Sequence, residues 1–412
     1  MNRRSAFFFF TTTYVLAACS SNDNSSTSAV MVGGATGIAV VNSDYNNSTN
    51  VSLFDPATGK LTFDNCLNSG SMPAGLSLTL SGDVVLPSAA QPGHELLLID
   101  RTTAALTYLD PTTCTVKRQF SVGTGFPSDP HDVVALSDSK AYVTRYKPNP
   151  APTDDPNDFD DGDDLLIINP ATGAVSGRIA LTPFAGQVNG TAVKARPGIA
   201  KLISGKVYVA LDNLSVDYMT TADGRILVVD PATDTVSGMI DLPGLKNCSG
   251  LSALPDGQTL VVTCVGDFND PMQIQGSAVV AVDLSATPPA IKTMLAASAF
   301  GDMPQPLSAD SGGALSATTG LVVSLGTIMK TPPDRLWAYD AANTATPVMD
   351  ATDAFVYGAL LTDPEHKQAF MTDATSDKPR VQIIDVSGAP AVKASFDPNP
   401  SVGLPPRALG WY

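Results

Sequence analysis

The chain has 412 residues with 40 acidic and 24 basic side chains, which give a formal net charge of −16. Such an acidic surface repels the phosphate backbone of nucleic acids, so we expect no nucleic-acid partner. Glycine (33) and proline (32) are abundant, and no long stretch places its apolar residues at the 3.6-residue period of a helix. The composition therefore predicts an all-β protein.

Residues 1–18 have the pattern of an export signal. Arg3 and Arg4 precede an apolar run that ends at Ala18 and is too short for a stable membrane span. The run closes with Leu-Ala-Ala-Cys19, which resembles the lipobox of bacterial lipoproteins. That resemblance implies an acylated Cys19, with membrane lipid as a partner. Ser20, after the cysteine, implies the outer membrane by similarity to the enterobacterial sorting rule. The alternative is an ordinary signal peptide with an incidental cysteine.

The rest of the chain divides into a tether and one folded domain. Residues 19–36 are rich in Ser, Asn and Thr, the composition of a flexible linker. Residues 37–412 form the folded domain, in which no stretch has eighteen continuous apolar residues, so we expect lipid to be the only anchor. We expect a monomer that faces the periplasm or the cell exterior.

One strand–turn–strand unit recurs along the domain, and its clearest copy spans residues 164–181. An apolar strand leads into the turn Asn169-Pro-Ala-Thr-Gly173, and a strand of alternating character follows. Asn or Asp folds its side chain onto the backbone ahead, Pro presets φ, and Gly accepts a positive φ at the exit. Related turns are Asp55–Gly59, Asp110–Cys114 and Asp230–Asp234, and weaker copies are the apolar runs 279–283, 336–340 and 381–385.

A second hairpin, with a strand rich in Val and Tyr, precedes each of these units. Its copies are residues 75–86, 132–144, 199–209 and 250–262, with weaker ones at 314–324 and 357–371. Two hairpins make a repeat of four antiparallel strands, which is typical of a β-propeller.

The number of units predicts how the ring closes. Seven copies of the first unit occur but only six complete copies of the second. Residues 37–44 and 404–412 can supply the two missing strands, so that both chain ends share one blade and leave no exposed edge. We therefore predict a seven-bladed propeller. Eight blades remain an alternative, because 96–100 and 106–110 are two strand-like runs within one blade.

Two short segments resemble a known repeat family. Tyr142-Val-Thr-Arg145 and Val207-Tyr-Val-Ala210 are similar to the YVTN-type propeller repeat. That superfamily includes the lactonase-like and quinoprotein-like seven-bladed propellers, so the resemblance implies the fold. Activity must still be argued from a site.

Four cysteines follow Cys19, and an exported chain favours two disulfides with three possible connectivities. Cys248 and Cys264 flank a predicted hairpin around Asp256. A three- or five-residue loop would set them directly opposite, whereas a two-residue turn would offset them by one. This pairing leaves Cys66 with Cys114. The alternative is free buried thiols or metal ligands.

An acidic insertion spans residues 147–164, between the second and third strands of one blade. A loop this long in a compact repeat is usually functional or disordered. Besides Asp154 and Asp155, it carries carboxylates that are candidate Ca²⁺ ligands: Asp158, Asp160, Asp161, Asp163 and Asp164. The spacing does not match an EF-hand, and a solvated loop kept open by charge repulsion is the alternative.

Propeller ligands usually sit over the central channel, near the loops that lead into the innermost strands. One such loop places His131 beside Asp129 and Asp132, which makes this group the candidate for acid–base catalysis. Arg196 and Arg407 occupy other loops of this kind and could face an anionic ligand. The alternative is that these are ordinary turns.

We interpret the chain first as a binding or scaffold module for a protein, peptide or glycan partner, without catalysis. The sequence lacks Cys-x-x-Cys-His, His-Glu-x-x-His and Gly-x-Ser-x-Gly motifs. A lactonase-like hydrolase using the channel around His131 is the second hypothesis. A calcium-stabilised envelope protein is the third.

Overall fold

The computed structural model describes residues 35–267, 270, 274–327, 332–340, 342 and 344–412. The predicted export signal at 1–18, the acylation site at Cys19 and the tether as far as residue 34 lie outside this range and stay predictions. Within the described residues, no helix is both long and apolar enough to span a bilayer.

Seven four-stranded antiparallel sheets form the ring of a β-propeller, as the repeats predict. From the innermost strand outward, blade 1 is Pro406–Trp411, Ile38–Ser43, Thr49–Asp55 and Lys60–Asn68; blade 2 is Val84–Val85, Leu96–Asp100, Ala105–Asp110 and Thr115–Ser121; blade 3 is Pro130–Ser137, Lys140–Pro148, Gly162–Ile168 and Val175–Ala180; blade 4 is Pro197–Ile203, Lys206–Leu211, Asp223–Asp230 and Thr235–Lys246; blade 5 is Gly250–Ala253, Thr259–Cys264, Ala278–Asp283 and Ala290–Ala296; blade 6 is Leu307–Ala314, Gly320–Ser324, Arg335–Tyr339 and Ala345–Asp350; blade 7 is Tyr357–Asp363, Gln368–Asp373, Arg380–Asp385 and Ala391–Phe396.

Short elements lie in the connections. A two-stranded hairpin, Gln187–Val188 with Thr191–Ala192, links blades 3 and 4. Three 3₁₀ turns are Pro92–His94, Thr182–Phe184 and Ala297–Ala299.

The chain ends close the ring as predicted. The strand Pro406–Trp411 is the innermost strand of blade 1 and pairs antiparallel with Ile38–Ser43, with Ile38 opposite Trp411. Beyond the strand, Thr36 N–H donates to the Tyr412 carbonyl at 2.7 Å. The first and last strands of the described residues thereby share one sheet, and every innermost strand described has a partner.

The core consists of the apolar layers between neighbouring blades. In the second strand of blade 2, Leu96, Leu97, Leu98 and Ile99 are all fully buried, because the strand is covered by a blade on each side. One such layer joins blades 3 and 4, and another joins blades 4 and 5. This burial on both faces explains why the second and third strands read as continuous apolar runs rather than alternating ones.

Blade 2 differs from the expectation. Residues 75–86 do not form its inner hairpin: the innermost strand is only Val84–Val85, and its partner is Leu96–Asp100. The runs 96–100 and 106–110 are therefore the second and third strands of this blade, which removes the reason for an eighth. An insertion of ten residues, 86–95, replaces the tight turn found elsewhere.

The repeated turn holds adjacent blades together. Its carbonyl at proline accepts a hydrogen bond from a side chain of a neighbouring blade: Arg118 Nε to Pro170 at 2.8 Å, Lys140 Nζ to Pro231 at 2.8 Å, and Gln368 Nε2 to Pro56 at 2.7 Å. The Asx turn forms as expected, since Ala171 N–H donates to Asn169 Oδ1 at 2.9 Å. At the junction of blades 1 and 2, the Cys66–Cys114 disulfide makes the link instead.

Both predicted disulfides are present, Cys66–Cys114 and Cys248–Cys264. The route to the second differs from the simple hairpin. Within blade 5, Gly250 pairs with Thr263, which would offset the two cysteines by one residue. Asn247, at φ 50°, turns the chain before the strand, and Val265 N–H donates to the Asn247 carbonyl at 3.0 Å. That shift of register sets Cys248 against Cys264.

Candidate functional site

The innermost strands begin, and the second strands end, on one face of the ring. Blades 3 and 4 meet on this face, and their loops bring together Asp129, His131, Tyr146, Arg196 and Asp212. We call these five residues the channel mouth. The remainder of the site is built around them.

His131 is held between an ion pair and an aromatic ring. Its Nε2 lies 3.5 Å from Asp129 Oδ1, and its ring stacks on Tyr146 with 4.2 Å between centroids and 4° between planes. Lys147 Nζ lies 3.3 Å from the other oxygen of Asp129. Burial alone would raise the pKa of Asp129, but His131, Lys147 and Arg101 lower it to about 2. Asp129 is therefore a permanent anion that positions His131.

Asp132 bonds to Ser88 and Ala200 rather than to His131, so its role is structural. It is fully buried, and it accepts hydrogen bonds from Ser88 N–H at 2.9 Å, Ser88 Oγ at 2.5 Å and Ala200 N–H at 2.9 Å. Lys201 Nζ donates to the Ser88 carbonyl. These contacts tie the insertion of blade 2 to the inner strands of blades 3 and 4. Of the two carboxylates considered beside His131, only Asp129 faces it.

Asp212 is the second carboxylate of the mouth. Tyr146 Oη donates to its Oδ2 at 2.9 Å, its Oδ1 is buried, and the Ser249 side chain lies close enough to favour the ionised form. Burial raises the pKa of Asp212 to about 6, although the Tyr146 hydroxyl and the nearby His131 both favour the ionised form. Asp212 therefore changes charge close to neutral pH, unlike Asp129.

Gly198 and Ser249 lie beside the buried Oδ1 of Asp212. A Cβ placed on Gly198 would lie 4.0 Å from Asp212 Oδ1 and 3.6 Å from Ser249 Cβ, at ordinary contact distance. Gly198 has no positive φ, so its backbone does not require glycine. A methyl group at this position would therefore lie against the carboxylate without displacing it.

Arg196 is the most deeply buried cation of the channel mouth. The side chain is 1% exposed, and its guanidinium lies 4.0 Å from the ring centroid of Tyr218 and 5.1 Å from that of Tyr146. It donates to Tyr218 Oη at 3.1 Å and to the Ser215 and Val216 carbonyls at 3.2 Å. Arg196 thus fixes the 212–222 loop and the Tyr146 ring, and it does not reach a ligand directly.

Further charged groups of other blades lie on the same face as the mouth. Arg407 donates from Nε to the Ser43 carbonyl at 3.3 Å, and its guanidinium lies 4.7 Å from the Tyr45 ring centroid. Arg101 pairs with Asp83, with 2.9 Å from Nε to Oδ1. Asp310, exposed on the inner strand of blade 6, is close enough to raise the pKa of Asp212. This face of the ring therefore carries charges of both signs.

Donor groups of neighbouring segments hold the acidic insertion against the ring. Asp164 and Arg145 form an ion pair at 2.6 and 2.7 Å in which neither side chain is exposed, and Arg145 also donates to the Phe159 carbonyl at 2.6 Å. Asp163 accepts the N–H groups of Arg196 at 2.6 Å and Ala195 at 3.1 Å, which links the insertion to the mouth. Burial raises the pKa of both carboxyls, partly offset by these donors.

The other carboxylates of the insertion also bond to neighbouring side chains or backbone groups. Asp161 pairs with Arg178 at 2.6 Å, while Asp158 and Asp160 accept hydrogen bonds from Thr153 at 2.8 and 3.0 Å. Across the described residues, no group of three or more His, Cys, Asp or Glu side chains is arranged to hold a metal ion. The calcium site stays a prediction, which calcium titration by calorimetry would test.

Sequence reasoning located His131, Asp129 and Arg196 near one another but missed Tyr146 and Asp212. Both missed residues occupy equivalent places, at or just after the end of a second strand, on the face where the next inner strand begins. Arg101 follows the second strand of blade 2 in the same way. Aligning the repeats on these strand ends would have identified all three.

Comparison with known proteins supports the fold. No protein-family profile matches the chain, and no curated protein gives a significant match. A Bacteroides fragilis protein provisionally identified as a 6-phosphogluconolactonase has a TM-score of 0.56 at 13% identity, covering 93% of this chain and 99% of its own. A Bacteroides uniformis protein identified in the same provisional way gives 0.57 at 13%, covering 92% and 100%.

A protein with different chemistry is nearly as similar. Hydrazine synthase from Kuenenia stuttgartiensis gives a TM-score of 0.52 at 12% identity, covering 86% of this chain and 97% of its own. At these identities the likeness shows the seven-bladed architecture and nothing about activity.

Proposed function

We propose that the channel mouth binds a small cyclic ester, a lactone, and hydrolyses it, with Asp212 as the proton acceptor. The observation that carries the proposal is the contrast between two carboxylates of one site. The pKa of Asp129 is about 2 and that of Asp212 about 6. Environments that separate two carboxyl pKa values in this way are typical of sites that perform acid–base chemistry.

The reaction needs one proton acceptor and a neighbourhood that stabilises an anion. Ionised Asp212 removes a proton from water, and the water oxygen attacks the carbonyl carbon of the lactone. The ring C–O bond then breaks, the proton on Asp212 passes to the leaving alkoxide, and the product is an open hydroxy acid. His131 and Lys147 lie beside Asp129 and supply positive charge or hydrogen-bond donors for the oxyanion.

The fold is compatible with this chemistry, since two of the similar structures are provisionally identified as 6-phosphogluconolactonases. This support extends to architecture only. The residues of the mouth carry the argument for this chain.

Hydrolysis of a panel of five- and six-membered lactones, followed by proton release, tests the proposal. We expect Asp212→Asn to lower kcat/KM by about 10²-fold or more, in the range of a lost general base. Gly198→Ala, which places a methyl group against Asp212, should raise KM without loss of fold. Asp217→Asn, on the exposed tip of the neighbouring loop, is the matched control and should behave as the wild type. Turnover of no lactone by the wild type would overturn the proposal.

A second candidate is a binding module for a protein, peptide or glycan partner. The mouth face carries several apolar side chains that are each more than half exposed: Tyr45, Met72, Val216, Met219, Met303 and Phe355. Such side chains are enriched where proteins dock. Saturable binding of a partner that is lost in Val216→Ser, but retained in Met239→Ser on the outer strand of blade 4, would favour this function.

We also propose that the protein is a bacterial outer-membrane lipoprotein anchored through Cys19. Ile38 lies at the face opposite the mouth, because its strand runs towards the mouth and ends at Ser43. An anchor preceding Ile38 would therefore attach to the propeller on the face opposite the mouth, through the flexible linker predicted at residues 19–36. Cys19→Ala should move the protein from the membrane fraction to the soluble fraction, and retention in the membrane would contradict the anchor.

A further inference from the structure

An arginine without a counter-ion lies at the start of the innermost strand of blade 1, on the same face as the channel mouth. Arg407 is partly exposed, and its Nε donates to the Ser43 carbonyl at 3.3 Å. In the part of the chain that the structure describes, no carboxylate forms an ion pair with Arg407. The other described arginines each have a carboxylate partner, except Arg196, which is 1% exposed. Arg407 is therefore the unpaired guanidinium that a ligand can reach.

A carboxylate without a counter-ion lies in the same channel. Asp310 is exposed on the innermost strand of blade 6, Leu307–Ala314. The free edge of an innermost strand borders the channel, so an exposed side chain on this strand is reached from there. Among the described residues, no cation forms an ion pair with Asp310, and Arg101, on which its charge acts, is already paired with Asp83. Asp310 is thus free to pair with a cationic group of a ligand.

An exposed aromatic ring lies within reach of both charges. Tyr45 is 57% exposed, and the Arg407 guanidinium lies 4.7 Å from its ring centroid. Partial burial raises the pKa of Tyr45, an effect that Arg407 opposes and Asp310 strengthens. Both charges therefore act on this one side chain. Its ring offers apolar surface to a ligand whose own two charges are joined by a hydrocarbon chain.

The loop that carries Tyr45 is held by its own hydrogen bonds. Asp44 Oδ1 accepts the backbone N–H groups of residues 46–48, each at 2.9 Å. Tyr45 N–H donates to Ser43 Oγ at 2.8 Å, and the carbonyl of the same serine accepts from Arg407. The aromatic ring and the guanidinium are therefore positioned before a ligand arrives, which lowers the entropy lost on binding.

The two unpaired charges favour a ligand that carries both signs. A ligand with a single charge would leave either Arg407 or Asp310 without a counter-ion. The planar fork of a guanidinium matches a carboxylate, and an aspartate matches an ammonium group. Blade 7 lies between blades 1 and 6 in the ring, so the two protein charges are not adjacent. An amino acid whose charges are separated by several methylene groups spans them better than an α-amino acid does.

We propose that Tyr45, Asp310 and Arg407 form a binding site for a linear ω-amino acid. The carboxylate of the ligand pairs with Arg407, its methylene chain lies on the Tyr45 ring, and its ammonium group pairs with Asp310. These residues are different from those assigned above to lactone hydrolysis, and binding does not depend on that reaction.

Isothermal titration with 6-aminohexanoate tests the proposal. Hexanoate and hexylamine each lack one of its charges, and norleucine has the same atoms with the two charges adjacent. We expect saturable binding of 6-aminohexanoate and binding of each comparator that is weaker by about tenfold or more, as for one lost charged hydrogen bond. No binding of 6-aminohexanoate, or equal binding of any comparator, would overturn the ligand class.

Matched variants locate the binding. Arg407→Gln and Asp310→Asn should each weaken the binding of 6-aminohexanoate by about tenfold or more. The control is Arg335→Gln, because the Arg335 guanidinium also lies over an aromatic ring, that of Trp337, but is paired with Asp350. This control should bind as the wild type does. Wild-type affinity in Arg407→Gln or in Asp310→Asn would exclude the site.

Two further comparisons separate binding from folding and from hydrolysis. Thermal unfolding followed by circular dichroism shows whether each variant is folded. Asp310 is exposed, so Asp310→Asn decides the test if Arg407→Gln does not fold. Asp212→Asn should lose lactone hydrolysis and keep the binding of 6-aminohexanoate, so failure of the reaction and failure of this site are distinguishable.

Discussion

Tyr146 donates a 2.9 Å hydrogen bond to Asp212, and this bond joins the second strand of blade 3 to that of blade 4 at the channel mouth. The same Tyr146 ring stacks on His131 and lies over the guanidinium of Arg196. Tyr146 therefore links Asp212 to Asp129 by way of His131. The pKa values of these two carboxyls are about 6 and about 2. A substitution of Tyr146 should therefore affect the pKa of Asp212 most directly.

The pH dependence of turnover should depend on Tyr146. Its hydroxyl hydrogen bond favours ionised Asp212, so Tyr146→Phe should raise the pKa of Asp212 above about 6. A lost hydrogen bond of about 1 kcal/mol corresponds to a rise of roughly one pH unit in the acidic limb of kcat/KM. A pH–rate profile of both proteins checks this. Coincident acidic limbs would exclude Asp212 as the group that titrates.

Asp212 should also affect stability in a pH-dependent way. Its pKa is raised from 3.8 to about 6 in the folded protein, so between these pH values the folded state holds a proton that the unfolded state has released. The free energy of unfolding contributed by Asp212 therefore falls as pH rises through this window, by roughly 3 kcal/mol. Asp212→Asn should be more stable than the wild type at pH 7.5, and the gain should disappear near pH 4. Urea unfolding at both pH values measures the difference, and an equal gain at both would contradict this origin.

Breaking the buried ion pair of the acidic insertion should lower the free energy of unfolding strongly. Asp164→Asn leaves the fully buried guanidinium of Arg145 without its counter-ion, and we expect a loss of about 3–5 kcal/mol in unfolding free energy. The matched control is Asp241→Asn, which removes the partner of Arg225 at an exposed position and should cost at most about 1 kcal/mol. Denaturant unfolding of both variants measures the two losses. Similar losses would mean that hydrogen bonds to Thr124 and Phe159 are enough to stabilise the buried charge of Arg145.

The two disulfides should contribute unequally. Cys66 and Cys114 are 48 residues apart and join two blades, while Cys248 and Cys264 are 16 apart within one blade. Loop-closure entropy predicts losses of about 4 and about 3 kcal/mol on removing the first and the second. The double variants Cys66→Ser/Cys114→Ser and Cys248→Ser/Cys264→Ser, compared by thermal and denaturant unfolding, test this order. A larger loss from the second pair would show that native packing outweighs chain entropy here.

The sequence by itself determined the ring. Turn chemistry at Asn169–Gly173 and its copies depends on neighbouring residues only, and the continuous apolar runs follow from burial between two blades, so both could be recognised without coordinates. The pairing of residues 37–44 with 404–412 followed from counting the repeats. Blade 2 was misread at 75–86, because its ten-residue insertion breaks the spacing on which the repeat pattern relies.

Only the tertiary structure decided the site. Tyr146 and Asp212 are 66 positions apart, and each alone is an ordinary polar residue at a strand end. Their pKa values depend on burial and on partners in other blades, which closure of the ring creates. Local chemistry fixes turns and strands, whereas the distances between side chains on different blades are set by packing of the whole ring.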